Sequence, residues 1–438
     1  MTVEPSGIGP ALRTDHYELT MLDAALGSGV AGHRAVFEVF TRRLPPGRGY
    51  GVVAGPARLA GMLDGLAFSP VELEWLASSG RFSDRLVDHL GRYRFAGDVW
   101  GHREGELFMP DTPVLVVETT FGGGLLLETL VLSVLNHDSA VAAAAARMHE
   151  AACGRQLIEM GARRSHEDAA VDASRAAWLA GFDTTSNLAA GARYGIPTSG
   201  TSAHAFTMAH PDEPAAFDAQ VAALGPGTTL LVDTYDITEG IERAVAAARR
   251  TGGELGAIRI DSGDLAAEAR AARRLLDDLG SPGTRIVLSG DLDEHRLAAL
   301  ADAPADAYGV GTSVVTGSGQ PTAELVYKLV AMAREPGAEV PLVPVAKTSP
   351  GKATRPGRVW AHRRLVDGMA TADLLTTGPS PPPGCRTLHV QLVSAGRAVY
   401  PYTLDEDRAH HLVARAELSA QARRLYAPGP VLAVQRPG

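Results

Sequence analysis

Residues 200–210, GTSAHAFTMAH, gather two histidines and the hydroxyls of Thr201, Ser202 and Thr207 just after the strand-like GIPTS. An imidazole at His204 can fill a core, bind a metal, act as a general base or carry a phosphoryl group covalently. A metal site needs three or four ligands, and His210, six positions on, does not stack with His204 on one helical face. A satisfied structural histidine and a phosphoryl carrier, with Thr201 and Ser202 as nearby donors, stay open.

Three further segments end apolar runs in small and acidic residues: AIRIDSGD (257–264), VLSGD (287–291) and GVGTS (309–313). Glycine lets backbone N–H groups approach and cradle a phosphate, and an adjacent carboxylate can hold ribose hydroxyls or Mg²⁺. Three such ends in a row point to a phosphorylated sugar. The competing explanation is that Asp and Gly make good strand-to-helix turns, with Asp capping the next helix.

These ends belong to a period that starts near residue 155, in which a short apolar run, a polar end and a helical segment repeat. The runs are QLIEMGARR, LAGFDTTSN, GIPTSGTSAH, TLLVDTYD, LGAIRIDSGD, TRIVLSGD and AYGVGTS, with VYKLVAM as a candidate eighth. Alternation at this spacing predicts parallel βαβ units closing into a barrel, whose site lies at the carboxyl ends of the strands. Before it, LRTDHYELTMLDAAL reads as a helix, AVFEVF and TPVLVVETTF as strands, and a long helix runs through VAAAAARMHEAA. Beyond residue 333 the chain is rich in Pro and Gly, with strands such as TLHVQLV and a last helix near 405–425. The expected division is a disordered tail over 1–10, an N-terminal α+β domain over 11–150, the α/β barrel over 151–335 and a C-terminal extension over 336–438 packed on both.

A chain of 438 residues, 45% of them hydrophobic, can bury a sizeable core. The formal charge of −9 has no long block of one sign, so wrapping a nucleic-acid backbone is not expected, and anionic substrates need local basic pockets. Cys153 and Cys385 are the only cysteines, too few for a disulfide framework or a multi-cysteine zinc site, which suits a reducing cytoplasm. The first residues carry no signal-peptide pattern, and the apolar LLLETLVLSVL is broken by Glu128, so no membrane partner is expected.

Three tempting patterns fail. GYGVVA (49–54) fits a dinucleotide fingerprint but follows a Pro-Pro turn instead of a strand. No phosphate-binding G-x-x-x-x-G-K-[ST] occurs. LLVDTYDITEG (230–240) imitates the phosphoribosyl-pyrophosphate loop of type I phosphoribosyltransferases, but Asp233 and Asp236 stand apart and a strand followed by a capped helix explains it as well.

Over nearly its whole length the chain resembles the nicotinate phosphoribosyltransferases, of the type II phosphoribosyltransferase family. The resemblance rests on TDHYELTM (14–21), FEVFTRRLPPGRGYGVVAG (37–55), LNHDSAVAAAAARM (135–148), GFDTTSNLAAGARYGIPTSGTSAHAF (181–206), IRIDSGDL (258–265), YGVGTSVVT (308–316) and KTSPGKATRPGRVW (347–360). It implies an α/β fold: an irregular (β/α) barrel joined to an α+β domain formed mainly by the N-terminal part, with a C-terminal extension. It further implies that nicotinate and phosphoribosyl pyrophosphate give nicotinate mononucleotide and pyrophosphate in NAD salvage, with ATP as co-substrate and Mg²⁺ as cofactor. His204 matches the transiently phosphorylated histidine and Asp261 a carboxylate that holds the ribose. Tyr17 matches an aromatic that stacks on the pyridine ring, supplied by the partner chain of a homodimer with shared active sites. Thr201 and Arg259 match residues lining the nicotinate site, and Arg163 a basic residue facing the pyridine substituent; beside it Met160 stands where an aromatic is expected. Ser289, Gly290, Asp291, Gly311 and Thr312 match the cradle for the 5-phosphate. The resemblance leaves two alternatives, a nicotinamide-using relative and a non-catalytic phosphate-binding barrel protein; Arg163 and Arg259 favour an acid substrate.

Overall fold

The computed structural model describes residues 8–348 and 355–436. The tail expected over 1–10 lies largely outside the described residues, as does the middle of the 347–360 motif. Of the tail's end, Gly9 donates its amide to Glu72 Oε1 at 2.8 Å, and a 3₁₀ turn opens at Pro10.

The chain forms two compact units, residues 1–140 with 322–438, and residues 141–321. These divisions differ from the breaks expected after residues 150 and 335. The reason for the second lies in VYKLVAM. Instead of an eighth barrel strand, it is part of the strand Leu325–Ala333, which pairs antiparallel with Arg34–Thr41 in the first unit. An apolar run of this length is equally at home in a parallel or an antiparallel sheet, and only its partner decides.

In the first unit, a seven-stranded sheet orders its strands, by first residue, Leu342, Leu325, Arg34, Leu115, Asp98, His389 and Arg397. Three strands from the N-terminal part therefore form the centre of one sheet, flanked on each side by two strands from later in the chain. A second sheet, of four strands, comes wholly from residues 360–435. The last long helix, Leu404–Ala416, is shorter than expected. Its start carries a capping box, with the Thr403 hydroxyl accepting from the Glu406 amide and the Glu406 carboxylate from the Thr403 amide.

Buried ion pairs tie this C-terminal sheet to the strands before residue 110. Arg363, fully buried, donates to Glu106 Oε1 at 2.7 Å and to Asp373 Oδ1 at 2.8 Å. Arg386 reaches Glu106 Oε2 at 2.7 Å, and Glu417 at the same distance. Burial pushes the Glu106 carboxyl up, but Arg363, His410 and Arg386 outweigh it and hold the group well below the usual carboxylate range.

The GYGVVA glycines serve packing. A Cβ on Gly51 would fall 2.1 Å from the Phe108 ring, across the short pair Gly51–Val52 and Leu107–Phe108. The helix Glu128–Ala151 is long and apolar enough to cross a membrane, yet 72% of its most apolar window is buried within the fold, as in a core helix.

The second unit is built on a six-stranded sheet, parallel throughout, ordered by first residue Thr184, Gln156, Ala307, Arg285, Ala257 and Thr229. Each strand hands over to a helix, giving a curled (β/α) sheet, the irregular barrel expected. GIPTS contributes no ladder to it among the described residues, only a single parallel bridge from Thr198 to Thr185.

Candidate active site

Residues two apart on a strand share a face, and this alternation builds the pocket. Ile158, Ala257, Val287 and Ala307 pack as a small apolar cluster with Met160 against it. One step further along the same faces come Arg259, Ser289 and Gly309, and just past the strand ends the turns bring Asp261, Asp291 and Gly311. Arg163, Arg259, Asp261, Ser289, Gly290, Asp291, Gly311 and Thr312 all line one cavity of about 250 Å³, with Met160, Arg164 and Gly309.

Two of the glycines there are required by their surroundings. Gly290 sits at φ 120°, and a Cβ on it would lie 2.6 Å from the Asp261 carbonyl. A Cβ on Gly309 would lie 2.7 Å from Met160 Sδ, so the thioether already occupies that wall.

Arg259 is the hub. Its Nε donates to Ser289 Oγ at 2.7 Å, Nη1 to Thr201 Oγ1 at 3.2 Å and Nη2 to Asp261 Oδ1 at 3.0 Å. Ser289 Oγ also donates to Asp261 Oδ1 at 2.5 Å. Three of the five guanidinium N–H groups are engaged by these protein groups. Arg163 and Arg164 differ: both are exposed, and neither guanidinium has a partner among the described residues.

His204 opens a five-residue helix and does not line this cavity. Its Nδ1 is 3.2 Å from Thr234 Oγ1 and its Nε2 3.9 Å from Asp233 Oδ1. The Asp233 side chain is fully buried, and its Oδ1 has no hydrogen-bond partner. Its other oxygen accepts from the Asp261 amide at 2.9 Å and from the Ser262 hydroxyl at 2.7 Å. One carboxylate therefore faces the histidine and also holds the strand end that carries Asp261.

Tyr17 lies in the first unit, on the helix His16–Ser28, and is 47% exposed. Burial and the Glu128 carboxylate push its hydroxyl up to about 12. The next residue, Glu18, is buried and accepts from the Thr129 amide at 2.9 Å and the Thr129 hydroxyl at 2.6 Å, which fixes the helix that presents Tyr17.

Residues 12–136 match the model of the nicotinate phosphoribosyltransferase (NAPRTase) N-terminal domain, and residues 155–362 that of the NAPRTase family. Nicotinate phosphoribosyltransferase pncB1 of Mycobacterium tuberculosis (strain CDC 1551 / Oshkosh) is 54% identical over 441 residues, covering 97% of this chain and 95% of that protein. The chain belongs to the nicotinate phosphoribosyltransferase family. Human nicotinate phosphoribosyltransferase is 30% identical over 506 residues, 95% of this chain and 93% of its own length. The crystal structure of human nicotinic acid phosphoribosyltransferase matches with a TM-score of 0.82 at 26% identity, covering 96% of this chain and 97% of that one. Nicotinate-nucleotide pyrophosphorylase from Pyrococcus furiosus shares the fold, with a TM-score of 0.77 at 22% identity over 95% and 99% of the two chains.

Two residues near these groups are not among the candidates from sequence: Arg164, on the cavity wall, and Asp233, which faces His204 and appears in the sequence only within the rejected LLVDTYDITEG pattern. A signal for Asp233 does exist. Three strand ends each carry two aspartates, and in each the second caps the following helix: Asp236 accepts from Glu239 N, Asp264 from Ala266 and Ala267 N, and Asp293 from His295 and Arg296 N. The first of each pair, Asp233, Asp261 or Asp291, is left for the site. The capping explanation thus holds for half of the aspartates.

Proposed function

We propose that this chain joins nicotinate to phosphoribosyl pyrophosphate, forming nicotinate mononucleotide and pyrophosphate in NAD salvage, with ATP hydrolysis coupled through a phosphohistidine at His204. The observation that carries the reading is the Arg259–Asp261–Ser289 triangle at the rim of a glycine cradle, with Arg163 unpaired on the same wall.

The nicotinate ring nitrogen carries a free lone pair, so no strong base is needed to make it a nucleophile. As the nitrogen bonds to C1 of the ribose, the C1–O bond to pyrophosphate breaks and positive charge develops on the sugar. Asp261 supplies the facing negative charge, held in place by Arg259 and Ser289. Gly290, Asp291, Gly311 and Thr312 suit the 5-phosphate through their backbone amides. No group of three metal-ligating side chains occurs among the described residues. Mg²⁺ is commonly held by one or two carboxylates together with substrate phosphates, and Asp261 and Asp291 are the carboxylates on the cavity wall. The ion would neutralise charge on the leaving pyrophosphate.

Arg163 is the better partner for the nicotinate carboxylate, because Arg259 already spends three donors on protein groups. A charge-assisted contact contributes about 1.5–3 kcal/mol, so Arg163→Ala should weaken nicotinate by roughly tenfold or more. Turnover of labelled nicotinate and of nicotinamide by the parent enzyme tests the function itself. Equal kcat/KM for acid and amide would sink the nicotinate reading, and no turnover of either would leave a phosphate-binding protein.

At His204 the imidazole attacks the γ-phosphorus of ATP, the bond to ADP breaks, and water later releases phosphate. The Thr234 hydroxyl, 3.2 Å from Nδ1, orients the ring for this transfer, and Nε2 is not hydrogen-bonded to Asp233, which lies 3.9 Å away. Radiolabel from [γ-³²P]ATP should survive alkali and vanish in acid. Labelling of His204→Ala as strong as that of the parent would refute the assignment.

We also propose a cytoplasmic homodimer in which Tyr17 of one chain serves its partner's pocket. Tyr17 and Met21, one turn apart, are 47% and 38% exposed, and Leu188, Phe206, Met208 and Tyr235 leave apolar surface on the second unit. Mixing equal amounts of inactive Tyr17→Ala and Asp261→Ala chains gives mixed dimers with one intact site, so activity should recover to about a quarter of parental. Mixed dimers without recovery would put Tyr17 in its own chain's site.

A further inference from the structure

The turn that carries Arg163 hangs from one buried carboxylate. Glu159, at the end of the strand Gln156–Glu159, is 1% exposed and takes only neutral donors. The Gly161 amide donates to its Oε1, and the Ser174 and Thr185 hydroxyls donate to Oε2 at 2.9 and 2.6 Å. No cationic side chain pairs with it among the described residues. A carboxylate buried this way is costly, and the sheet does not need it. Backbone bonds already dock the strand, from Ser186 N to Glu159 O at 2.8 Å and from Met160 N to Val310 O at 2.7 Å.

What the side chain adds is a fixed turn. Gly161 is wedged so closely that a Cβ would lie 2.3 Å from Val315 Cγ1 and 2.8 Å from the Gly311 carbonyl. The Arg164 amide then closes the turn on the Gly161 carbonyl at 2.8 Å. Met160, Arg163 and Arg164 emerge from it onto the cavity wall beside Gly311 and Thr312.

We propose that Glu159 is a positioning residue: by holding the Gly161 amide from beneath, it sets the 160–164 turn so that Arg163 meets the carboxylate of the pyridine substrate. The inference rests on the nicotinate reading of the same pocket. Glu159→Gln keeps the size of the side chain but turns one accepting oxygen into a donor. In the full-length enzyme it should raise KM for nicotinate about tenfold while kcat stays within about threefold. The rise should be non-additive with Arg163→Ala, the double variant being no worse than Arg163→Ala alone, which a merely structural role would not produce. Unchanged KM, or additive losses, would overturn the proposal. If Glu159→Gln does not fold, Ser174→Ala removes one donor, and a rise in KM of about threefold that again disappears in the Arg163→Ala background is expected; additivity there overturns it equally. Hydrogen exchange separates the two levels. Amides of residues 160–164 should lose about tenfold protection in Glu159→Gln whatever the substrate proves to be, and unchanged protection refutes the positioning role. Absent nicotinate turnover by the parent would refute only the substrate.

Discussion

Asp261→Asn is expected to lower kcat/KM for nucleotide formation by about 10²–10³ while leaving the thermal midpoint nearly unchanged. Asparagine keeps an oxygen for Arg259 and Ser289, which now hold Oδ1 at 3.0 and 2.5 Å, so the local bonds survive. What disappears is the negative charge opposite the developing sugar cation. A charge aimed at a transition state acts on the rate far more than on folding, and each tenfold corresponds to about 1.4 kcal/mol. Steady-state kinetics of the variant, beside its melting curve, decide. Activity above a tenth of parental would mean that the sugar cation is stabilised elsewhere, with Asp291 the next carboxylate on the wall.

The largest effect on stability should come from Glu106→Ala. Arg363 is completely buried, and Glu106 is one of its two carboxylate partners as well as a partner of Arg386 and His410. Removing it strands positive charge in a dry interior, at a cost of about 3–5 kcal/mol. For a unit of this size that is a fall of roughly 10 °C in Tm. The sign with pH follows from the depressed carboxyl. Its folded value lies below the ordinary 4.5, so its contribution is complete above that value and is lost as pH falls through the folded value. The gap between parent and variant should therefore be widest near neutrality and narrow in acid. A Tm within 2 °C of the parent at pH 7 would show that the network relaxes around the gap, against this expectation.

The two sites differ in how far sequence alone exposes them. Asp261, Ser289 and Gly311 end apolar strands that repeat with helices between them, and both the period of two and the strand-helix alternation are local properties. Arg363, Asp373 and Glu106 carry no such mark. They sit in strands far apart in the chain, and their pairing is a fact of sheet neighbours. The same holds for Leu325–Ala333, whose apolar run fits a barrel strand until Arg34–Thr41 claims it.

By itself, then, the sequence determined the α/β alternation, the strand ends where chemistry collects and the family motifs that contain His204, Asp261 and Tyr17, because these depend on residue type and short spacing. Tertiary structure alone decided that Asp261 and Asp291 line the cavity while their neighbours cap helices, that Asp233 looks toward His204, and that Arg259 is engaged while Arg163 stands free. It also decided that the C-terminal strands complete the N-terminal sheet. The physical reason is one of range: periodicity and capping act over a few residues, whereas hydrogen-bond partners, charge neighbours and strand order are set by contacts between segments that only the folded chain brings together.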